Sequence, residues 1–341
     1  MSSELVITPA LPLPALPYGE PVVPSLIAGQ GERASNRYIE FFVAQIRNRN
    51  TRRAYARATA DFLHSCEQRH LTLPTIEPAH VAAYIEQFMQ TGVPRHPGGT
   101  LAPLSAPSVK QQLAAIRMLF DCFVVGQVVP HNPASSVRGP KHVVSRGKTP
   151  VLPREEAKAV NDAIETDTLI GLRDRALIAT LLYTFARIEA ALHINVGDYF
   201  SLGKQGRVRL HEKGGKMREM PVHHALEEYL DAYIAAAGIE AEKKAPLFRT
   251  APGRSGDRLI TNRLQAREAY SVIRRRSLAA GIDTTIGCHS WRAIGITNYL
   301  ENGGTLEHAQ QMAAHSSPRT TKLYDRTNDE VTLTEVERIH L

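Results

Sequence analysis

The stretch between residues 289 and 324 contains side chains suited to chemistry on an anion. His289 and Arg292 are three positions apart, His315 precedes a Ser-Ser-Pro segment, and Tyr324 follows that segment. In a helix, residues three apart share one face. Donors fixed around a non-bridging oxygen stabilise the charge that builds there during phosphoryl transfer. The set therefore predicts a site for an anionic reaction centre, and a phosphodiester is the obvious candidate.

Helix start and stop signals separate these residues. The Gly303-Gly304 pair is expected to end the helix of His289, and Thr305 can cap the next one. Pro318 favours the first turn of a third helix, which we expect to carry Tyr324 two turns later. Each residue type alone is more often a packing or surface residue than a catalytic one. The joint pattern is much more specific.

The motifs H-x-x-R and A-H-S-S-x-x-T-T-x-x-Y resemble the carboxy-terminal signature of the tyrosine recombinases, the phage integrase family, in its Xer-like and integrase branch. The family pattern reads H-x-x-R, G-H-S-S, T-T and Y at the same spacing, and Ala314 stands here in place of its glycine. The resemblance implies a mainly α fold with a small antiparallel β-sheet in the C-terminal domain. It also implies a two-domain DNA clamp, in which a helical core-binding bundle precedes the catalytic domain.

The same resemblance implies another arginine within a segment that reads T-G-L-R-I-S-E in the family. This chain reads T-F-A-R-I-E-A, with Arg187 in the arginine position. Phe185 stands where the family has glycine, and Ala190 stands where it has an acid. Glu189, one position early, is the candidate acidic partner of Arg187.

A lysine on a β-hairpin is the remaining family element. Val208 and Leu210, a Gly-Gly turn, then Met220 and Val222 predict two short antiparallel strands. Lys213 matches the family's lysine by its position before the turn. Lys216 is the rival, and the lysine that is not catalytic could contact a phosphate.

The resemblance assigns a role to each of these side chains. The implied catalytic set is Arg187, Lys213, His289, Arg292, His315 and Tyr324. The tyrosine would attack the scissile phosphate, giving a 3'-phosphotyrosyl enzyme and a free 5'-hydroxyl. The arginines would brace the non-bridging oxygens, His289 would take the phenol proton, His315 would bond a phosphoryl oxygen and Lys213 would protonate the leaving 5'-oxygen. Religation then needs no cofactor and no metal.

Composition is consistent with this assignment. The formal net charge is +7 and the sequence pI about 9.4, which favours a polyanionic partner. The three cysteines are scattered and suggest a reducing compartment. No apolar run approaches a membrane span. We expect a cytoplasmic, nucleoid-associated protein that binds double-stranded DNA at a specific recombination site and assembles there as a synaptic tetramer, with no membrane or small-molecule substrate.

Changes in composition divide the chain. We predict a Pro-rich flexible arm over 1–34, a helical core-binding domain over 35–135, a basic linker over 136–152, the catalytic domain over 153–328 and a tail over 329–341 that could dock in cis or on a neighbouring protomer. Basic side chains in the first domain and the linker are candidate DNA contacts, with a solvated face as the alternative. With Lys216 they are Arg52, Arg53, Arg57, Lys110, Arg117, Arg138 and Lys141.

Two of the predicted helices are basic. Asn50 can cap one in the core-binding domain, and another is expected over 261–280 in the catalytic domain. The arginines of the second helix either contact a groove or phosphates, or form a solvated face. They are Arg263, Arg267, Arg274, Arg275 and Arg276.

Two other functions stay open from the sequence. A type IB topoisomerase-like enzyme would use the same chemistry without exchanging partners, although the separate helical amino-terminal domain argues against it. A non-catalytic DNA-binding protein on the same scaffold is the other alternative. It would be favoured by the loss of Arg187, Arg292 or Tyr324, and all three are present.

Overall fold

A computed structural model describes residues 23–91, 102–142, 144, 147–212, 215–252 and 258–325. The chain divides into two compact units, Met1–Val143 and Val144–Leu341. This division falls inside the basic segment 136–152 that the sequence predicts as a linker. The finer boundaries of the predicted domains stay predictions.

The first unit is helical throughout its described part. Its α-helices are α1 (Ser25–Ala28), α2 (Glu32–Glu40), α3 (Arg49–Glu67), α4 (Pro78–Gln90) and α5 (Ala106–Val125), with a π-helical turn at Phe41–Gln45 and a 3-10 turn at Leu73–Thr75. Aromatic side chains on the inward faces form much of the core. Phe62, for example, meets Tyr84 and Phe120 edge-on, with ring centroids 5.0 and 6.2 Å away.

The bundle begins earlier than the sequence predicts. The predicted flexible arm extends to residue 34, but α1 and the start of α2 already lie in it. Leu26 and Ile27 are buried, and Glu67 accepts hydrogen bonds from the Ser25 hydroxyl and the Leu26 amide. The proline density that suggested an arm ends at Pro24, and the apolar pair after it provides the surface that packs. Residues 1–22 of the predicted arm lie outside the described residues.

The cap of α3 also differs from the prediction. Asn48, not Asn50, is the N-cap, and its side chain accepts hydrogen bonds from the amides of Asn50 and Thr51. Either asparagine can fill this role, so the sequence alone leaves the first turn uncertain by two residues.

The second unit surrounds a small sheet with helices. In chain order its elements are α6 (Arg154–Asp162), α7 (Leu169–Thr184), α8 (Ile188–Leu192), β1 (Tyr199–Leu202), β2 (Gln205–His211), β3 (Met217–Pro221), α9 (His224–Ala237), α10 (Ala266–Ala279), α11 (Cys288–Glu301), α12 (Leu306–Met312) and α13 (Pro318–Lys322). The strands pair antiparallel in the order β1-β2-β3. The predicted class, mainly α with a small antiparallel sheet in the C-terminal domain, is confirmed.

The predicted hairpin is β2 and β3, with Val208 opposite Met220. Strand β1 was not predicted, because its four residues alternate too briefly to give a strand pattern. Helix α10 begins at Ala266, later than the predicted start at Thr261.

Close packing of α7 against α11 determines where the site lies. Gly295 in α11 sits so near α7 that a Cβ there would collide with the Leu182 carbonyl oxygen. Glycine costs about 1 kcal/mol in a helix interior, and here it permits the close approach. The loop after α7 is thereby held beside the first turns of α11.

Candidate active site

Arg187 stands at the junction of α7 and α8, where it is the N-cap residue of α8. The chain turns there because Phe185, directly after α7, has φ +53°, in the left-handed region. A non-glycine residue in this region costs about 1–2 kcal/mol. The side chain of Phe185 offsets this, because its ring is buried in a cluster with Ile296 and Tyr324.

Arg292, on α11, is 1% exposed. Its Nη1 donates to the carbonyl of Phe185, and its Nη2 lies 2.6 Å from both the Ala313 carbonyl oxygen and His315 Nε2. Burial, followed by the charge of Arg187, lowers the pKa of Arg292 to about 10. The group therefore remains a cation at neutral pH, held by two carbonyls and one imidazole.

His315 lies in the turn between α12 and α13. Burial and then the charges of Arg292, Arg187 and His289 lower its pKa to about 3, so the ring is neutral near pH 7. A guanidinium can only donate, so Nε2 must accept from Arg292. The ring proton is therefore on Nδ1, which lies 2.9 Å from Thr321 Oγ1 and donates to it.

Tyr324 lies in the turn directly after α13, not within that helix as predicted. Its amide donates to the Thr321 carbonyl, and its own carbonyl accepts from Thr297 Oγ1 at 2.9 Å. The ring is 7% exposed and stacks on His315, with centroids 5.7 Å apart and an interplanar angle of 12°. These two hydrogen bonds fix the backbone of Tyr324 on both sides of its side chain, and the phenol faces inward.

The phenol of Tyr324 meets His289, in the first turn of α11. Tyr324 Oη and His289 Nε2 are 2.8 Å apart. Partial burial, then the charges of Arg292 and Arg187, lowers the pKa of His289. A neutral imidazole is the form that can accept a phenol proton. The predicted proximity of His289, Arg292, His315 and Tyr324 is thus present.

The carboxylate beside Arg187 is not the predicted one. Glu189 is exposed and lies 4.0 Å from His193, the residue that follows α8. Arg187 Nη1 instead donates to Glu212 Oε2 at 2.9 Å, from the end of β2, and its Nη2 reaches the Ala314 carbonyl at 3.4 Å. Position along the chain favoured Glu189, but a helix turns that side chain outward, whereas the strand brings Glu212 in.

Glu212 and Arg218 were not predicted from the sequence. Arg218, on β3, donates to the carbonyls of Thr184 and Gln311, at 3.2 Å each, and its Nη2 lies 3.5 Å from Glu212 Oε1. Burial lowers the pKa of Arg218. In the sequence, the only signal is that both residues flank the predicted turn. Charged residues there are usually solvated, so this signal does not indicate a buried ion pair.

Only one of the two candidate lysines is among the described residues. Lys213 falls outside the described residues, so its predicted role stays a prediction. Lys216 is exposed, and its carbonyl accepts from the Glu212 amide at 2.7 Å.

A cavity of about 280 Å³ opens beside the phenol, lined by His289, Leu323, Tyr324 and linker residues that include Lys148. The Gly147 amide donates to the Leu323 carbonyl at 3.0 Å. A Cβ at Gly147 would lie 2.6 Å from that oxygen, so glycine permits the contact. The end of the predicted linker is thus attached to the segment that carries Tyr324.

The predicted DNA contacts fall into two groups. Exposed ones are Arg53, Arg57, Lys110, Arg138 and Lys141, and of these Arg57 lies 3.8 Å from the Asp61 carboxylate on the same helix. Two others are engaged within the protein. Arg52 donates through Nε and Nη2 to the Ile46 carbonyl, at 3.0 and 2.8 Å, and Arg117 donates to the carbonyls of Ala134 and Val137. These hydrogen bonds occupy the side-chain donors of Arg52 and Arg117 that were predicted to contact DNA phosphates.

The arginines of the predicted basic helix are divided in the same way. Arg263 bonds the carbonyls of Leu192 and Ile194, and Arg276 bonds the buried carboxylate of Asp174 at 2.9 Å. Arg267 is exposed. Arg263 and Arg276 are thus engaged within the protein, which neither predicted alternative anticipated, and for Arg267 groove or phosphate contact and a solvated face both stay open.

Membrane-spanning helices and metal clusters are both absent from the described part of the chain. No described helix is long and apolar enough to cross a membrane. No group of three or more His, Cys, Asp or Glu side chains in the described ranges could hold a metal ion.

Comparison with known proteins places this geometry in a family. Residues 150–331 match the model of the phage integrase family, which is more than half of the 341 residues. Tyrosine recombinase XerC of Myxococcus xanthus is 30% identical over 232 residues, covering 66% of this chain and 74% of the relative. Tyrosine recombinase XerD of Oceanobacillus iheyensis is 27% identical over 224 residues, covering 64% and 71%.

Solved structures agree on the fold. The XerH site-specific recombinase bound to difH substrate aligns with a TM-score of 0.62 at 17% identity, covering 90% of this chain and 84% of that one. A lambda integrase dimer bound to a COC' core site aligns with a TM-score of 0.64 at 17% identity, covering 87% and 79%. The chain belongs to the phage integrase family, the tyrosine recombinases.

Proposed function

We propose that this tyrosine recombinase cuts and rejoins DNA at a specific site through a covalent bond between Tyr324 and a 3'-phosphate. The observation that carries this proposal is the 2.8 Å separation of Tyr324 Oη and His289 Nε2, beside two arginines. A free tyrosine has a pKa of about 10, so its phenol needs a proton acceptor at neutral pH. The neutral His289 ring is that acceptor.

Residues of the site account for each bond change and each proton transfer in the cleavage step. Tyr324 Oη forms a bond to phosphorus as the bond from phosphorus to the 5'-oxygen breaks. The phenol proton moves to His289 Nε2, and the 5'-oxygen takes a proton from Lys213, the predicted acid. Arg187 and Arg292 stabilise the charge on the non-bridging oxygens. Reversal with a partner strand's 5'-hydroxyl restores the phosphodiester.

The wider setting of the reaction belongs to the same proposal. The partner is double-stranded DNA, which the net charge of +7 favours. Two sites are paired in a tetramer, as in the lambda integrase tetramer bound to a Holliday junction, a structural neighbour with a TM-score of 0.63 at 16% identity. The protein works in the cytoplasm at the nucleoid.

The test is recovery of DNA attached to protein from cells lysed in denaturing detergent without crosslinker. Wild type should yield adducts at discrete loci, and Tyr324→Phe should yield none. Tyr299→Phe is the matched control, because it removes a phenol from the same apolar cluster, on a ring that meets Phe185 edge-on. Adducts dispersed over the genome would favour DNA relaxation. Failure of wild type to form adducts even on nicked substrates would contradict the proposal and favour a DNA-binding protein.

A further inference from the structure

The segment around Arg187 departs from the family pattern at its acid. Ala190 occupies that position, on α8, and is 3% exposed among apolar neighbours. Arg187 nevertheless has a carboxylate partner. Glu212 directly follows β2, twenty-five residues along the chain from Arg187, and its Oε2 accepts from Arg187 Nη1 at 2.9 Å.

Glu212 is buried between two cations. Its side chain is 5% exposed, with Arg187 on one oxygen and Arg218 Nη2 3.5 Å from the other. A buried carboxylate is tolerated only where cations and hydrogen bonds compensate its lost hydration. The buried carboxylate of Glu212 therefore holds the two arginines near each other, and they in turn compensate the cost of burying it.

The contact limits where the Arg187 guanidinium can point. The side chain is 41% exposed, so packing alone leaves it freedom to move. Its other bond, to the Ala314 carbonyl, is long at 3.4 Å. The Glu212 contact is the shorter of the two and involves opposite charges, so it contributes most to the orientation. A guanidinium has more N–H donors than these two contacts use, which leaves part of its fork for a phosphate.

We propose that Glu212 is the positioning residue for Arg187 in strand cleavage, supplying from β2 the carboxylate that the family pattern has at position 190. The inference rests on the proposed function, because it assigns Arg187 to the scissile phosphate. Glu212 itself does not touch the substrate. It also directly precedes Lys213, the predicted general acid, in the sequence.

Single-turnover cleavage of a nicked substrate by Glu212→Gln tests the role. The amide keeps the shape and removes the charge. A misplacement of about 1 Å at a reacting centre can cost on the order of 10²-fold in rate, and we expect a loss of that size with DNA affinity unchanged. Glu219→Gln on β3 is the matched control. Glu219 bonds Arg207 at 2.9 Å, so this change removes an equal charge from the same sheet, and cleavage should stay at the wild-type rate.

A second variant separates positioning from folding. Glu212→Gln leaves Arg218 buried without its carboxylate and could unfold the sheet for that reason alone. Glu212→Gln/Arg218→Met removes both charges and keeps the volume apolar. We expect this double variant to stay folded, to melt below wild type because the Thr184 and Gln311 carbonyls lose their donor, and to cleave on the order of 10²-fold slowly. A wild-type rate in either folded variant would overturn the proposal.

Cleavage of a substrate with a neutral scissile linkage distinguishes a positioning role of Glu212 from a purely structural one. A methylphosphonate replaces one charged oxygen with a methyl group, so the reaction no longer needs a guanidinium there. If Glu212 acts through Arg187, the difference between wild type and the double variant should shrink to less than about tenfold on this substrate. An equal difference on both substrates would overturn the proposal in favour of a structural role. Absence of a Tyr324 adduct with wild type would instead refute the proposed function.

Discussion

Two left-handed residues lie at positions where the family pattern has glycine. Phe185 and Ala314 have φ of +53° and +47°. The backbone carbonyl of each accepts from a site arginine, so the conformation aims these oxygens at Arg292 and Arg187. The glycines of the family pattern thus mark two positions that need a left-handed backbone. This chain meets that need with Phe185 and Ala314, which are strained there.

Ala314→Gly should therefore stabilise the second unit. Relief of the left-handed strain gains about 1–2 kcal/mol, and the added freedom of the unfolded chain takes back about 0.4–1 kcal/mol. Chemical denaturation should give a net gain in unfolding free energy. Ala159→Gly, at an exposed position inside α6, is the control and should lower the unfolding free energy by about 1 kcal/mol. A decrease at both positions would contradict the strain at Ala314.

His315 gives the fold a dependence on pH. Its pKa is about 3 in the folded protein and about 6.5 in an unfolded chain. Between these values the unfolded state binds the proton, so the unfolding free energy should fall as pH decreases from about 6.5 toward about 3. His315→Gln should flatten this dependence, while the lowered pKa of His289 leaves part of it. Urea titrations across the range would measure it, and equal slopes in the two proteins would refute the neutral His315.

At the scale of elements, the contact of α7 with α11 holds the two arginines together. Gly295 makes it possible, because a Cβ would meet the Leu182 carbonyl oxygen and would also lie 2.9 Å from the Phe185 ring. Backbone cannot rotate aside as a side chain can. With a larger residue the helices must separate, and the loop that carries Arg187 moves with α7.

Gly295→Ala should cost about 1–3 kcal/mol of unfolding free energy, the range for overpacking a core. It should also slow cleavage, because Arg292 would no longer be held at a fixed distance from the Phe185 carbonyl. Gly139→Ala is the control, since its nearest neighbour would be a Leu113 side-chain carbon at 3.4 Å. A stable, fully active Gly295→Ala would mean that the helices are not in close contact.

The sequence predicted those elements whose signals are local. The H-x-x-R turn, the Thr305 cap and the β2-β3 hairpin follow from residue type and spacing, and the structure has all three. The partnership of Arg187 with Glu212 did not follow. It joins residues twenty-five positions apart across two elements, and no periodicity encodes such a contact. The contacts of the half-buried Arg117 are similar, because the carbonyls it bonds, on Ala134 and Val137, lie in irregular backbone on either side of the predicted start of the linker.

At the scale of the whole molecule, the positive charge divides into exposed and internal arginines. Arg138 is exposed in the basic linker. Arg117 is half-buried and donates to two carbonyls. Both were candidate phosphate contacts by charge alone, so their substitution should separate DNA affinity from stability.

Arg138→Ala should lower the slope of log affinity against log salt by about 1, the change expected when one phosphate is no longer neutralised. Its unfolding free energy should stay unchanged. Arg117→Ala should leave the slope unchanged and cost about 1–3 kcal/mol, because two buried carbonyls would be left without their donor. Binding titrations at several salt concentrations and urea unfolding provide both values. A lower salt slope for Arg117→Ala together with a loss of unfolding free energy for Arg138→Ala would contradict the division into exposed and internal arginines.

Peptide mass spectrometry tests most directly whether Tyr324 becomes covalently attached to DNA. Wild-type protein would be trapped on a nicked substrate, digested with protease and nuclease, and its peptides searched for a residual nucleotide. We predict one modified peptide, with the 3'-nucleotide on Tyr324. A nucleotide on another residue, or trapped complexes that dissociate in denaturant and leave Tyr324 unmodified, would contradict the account.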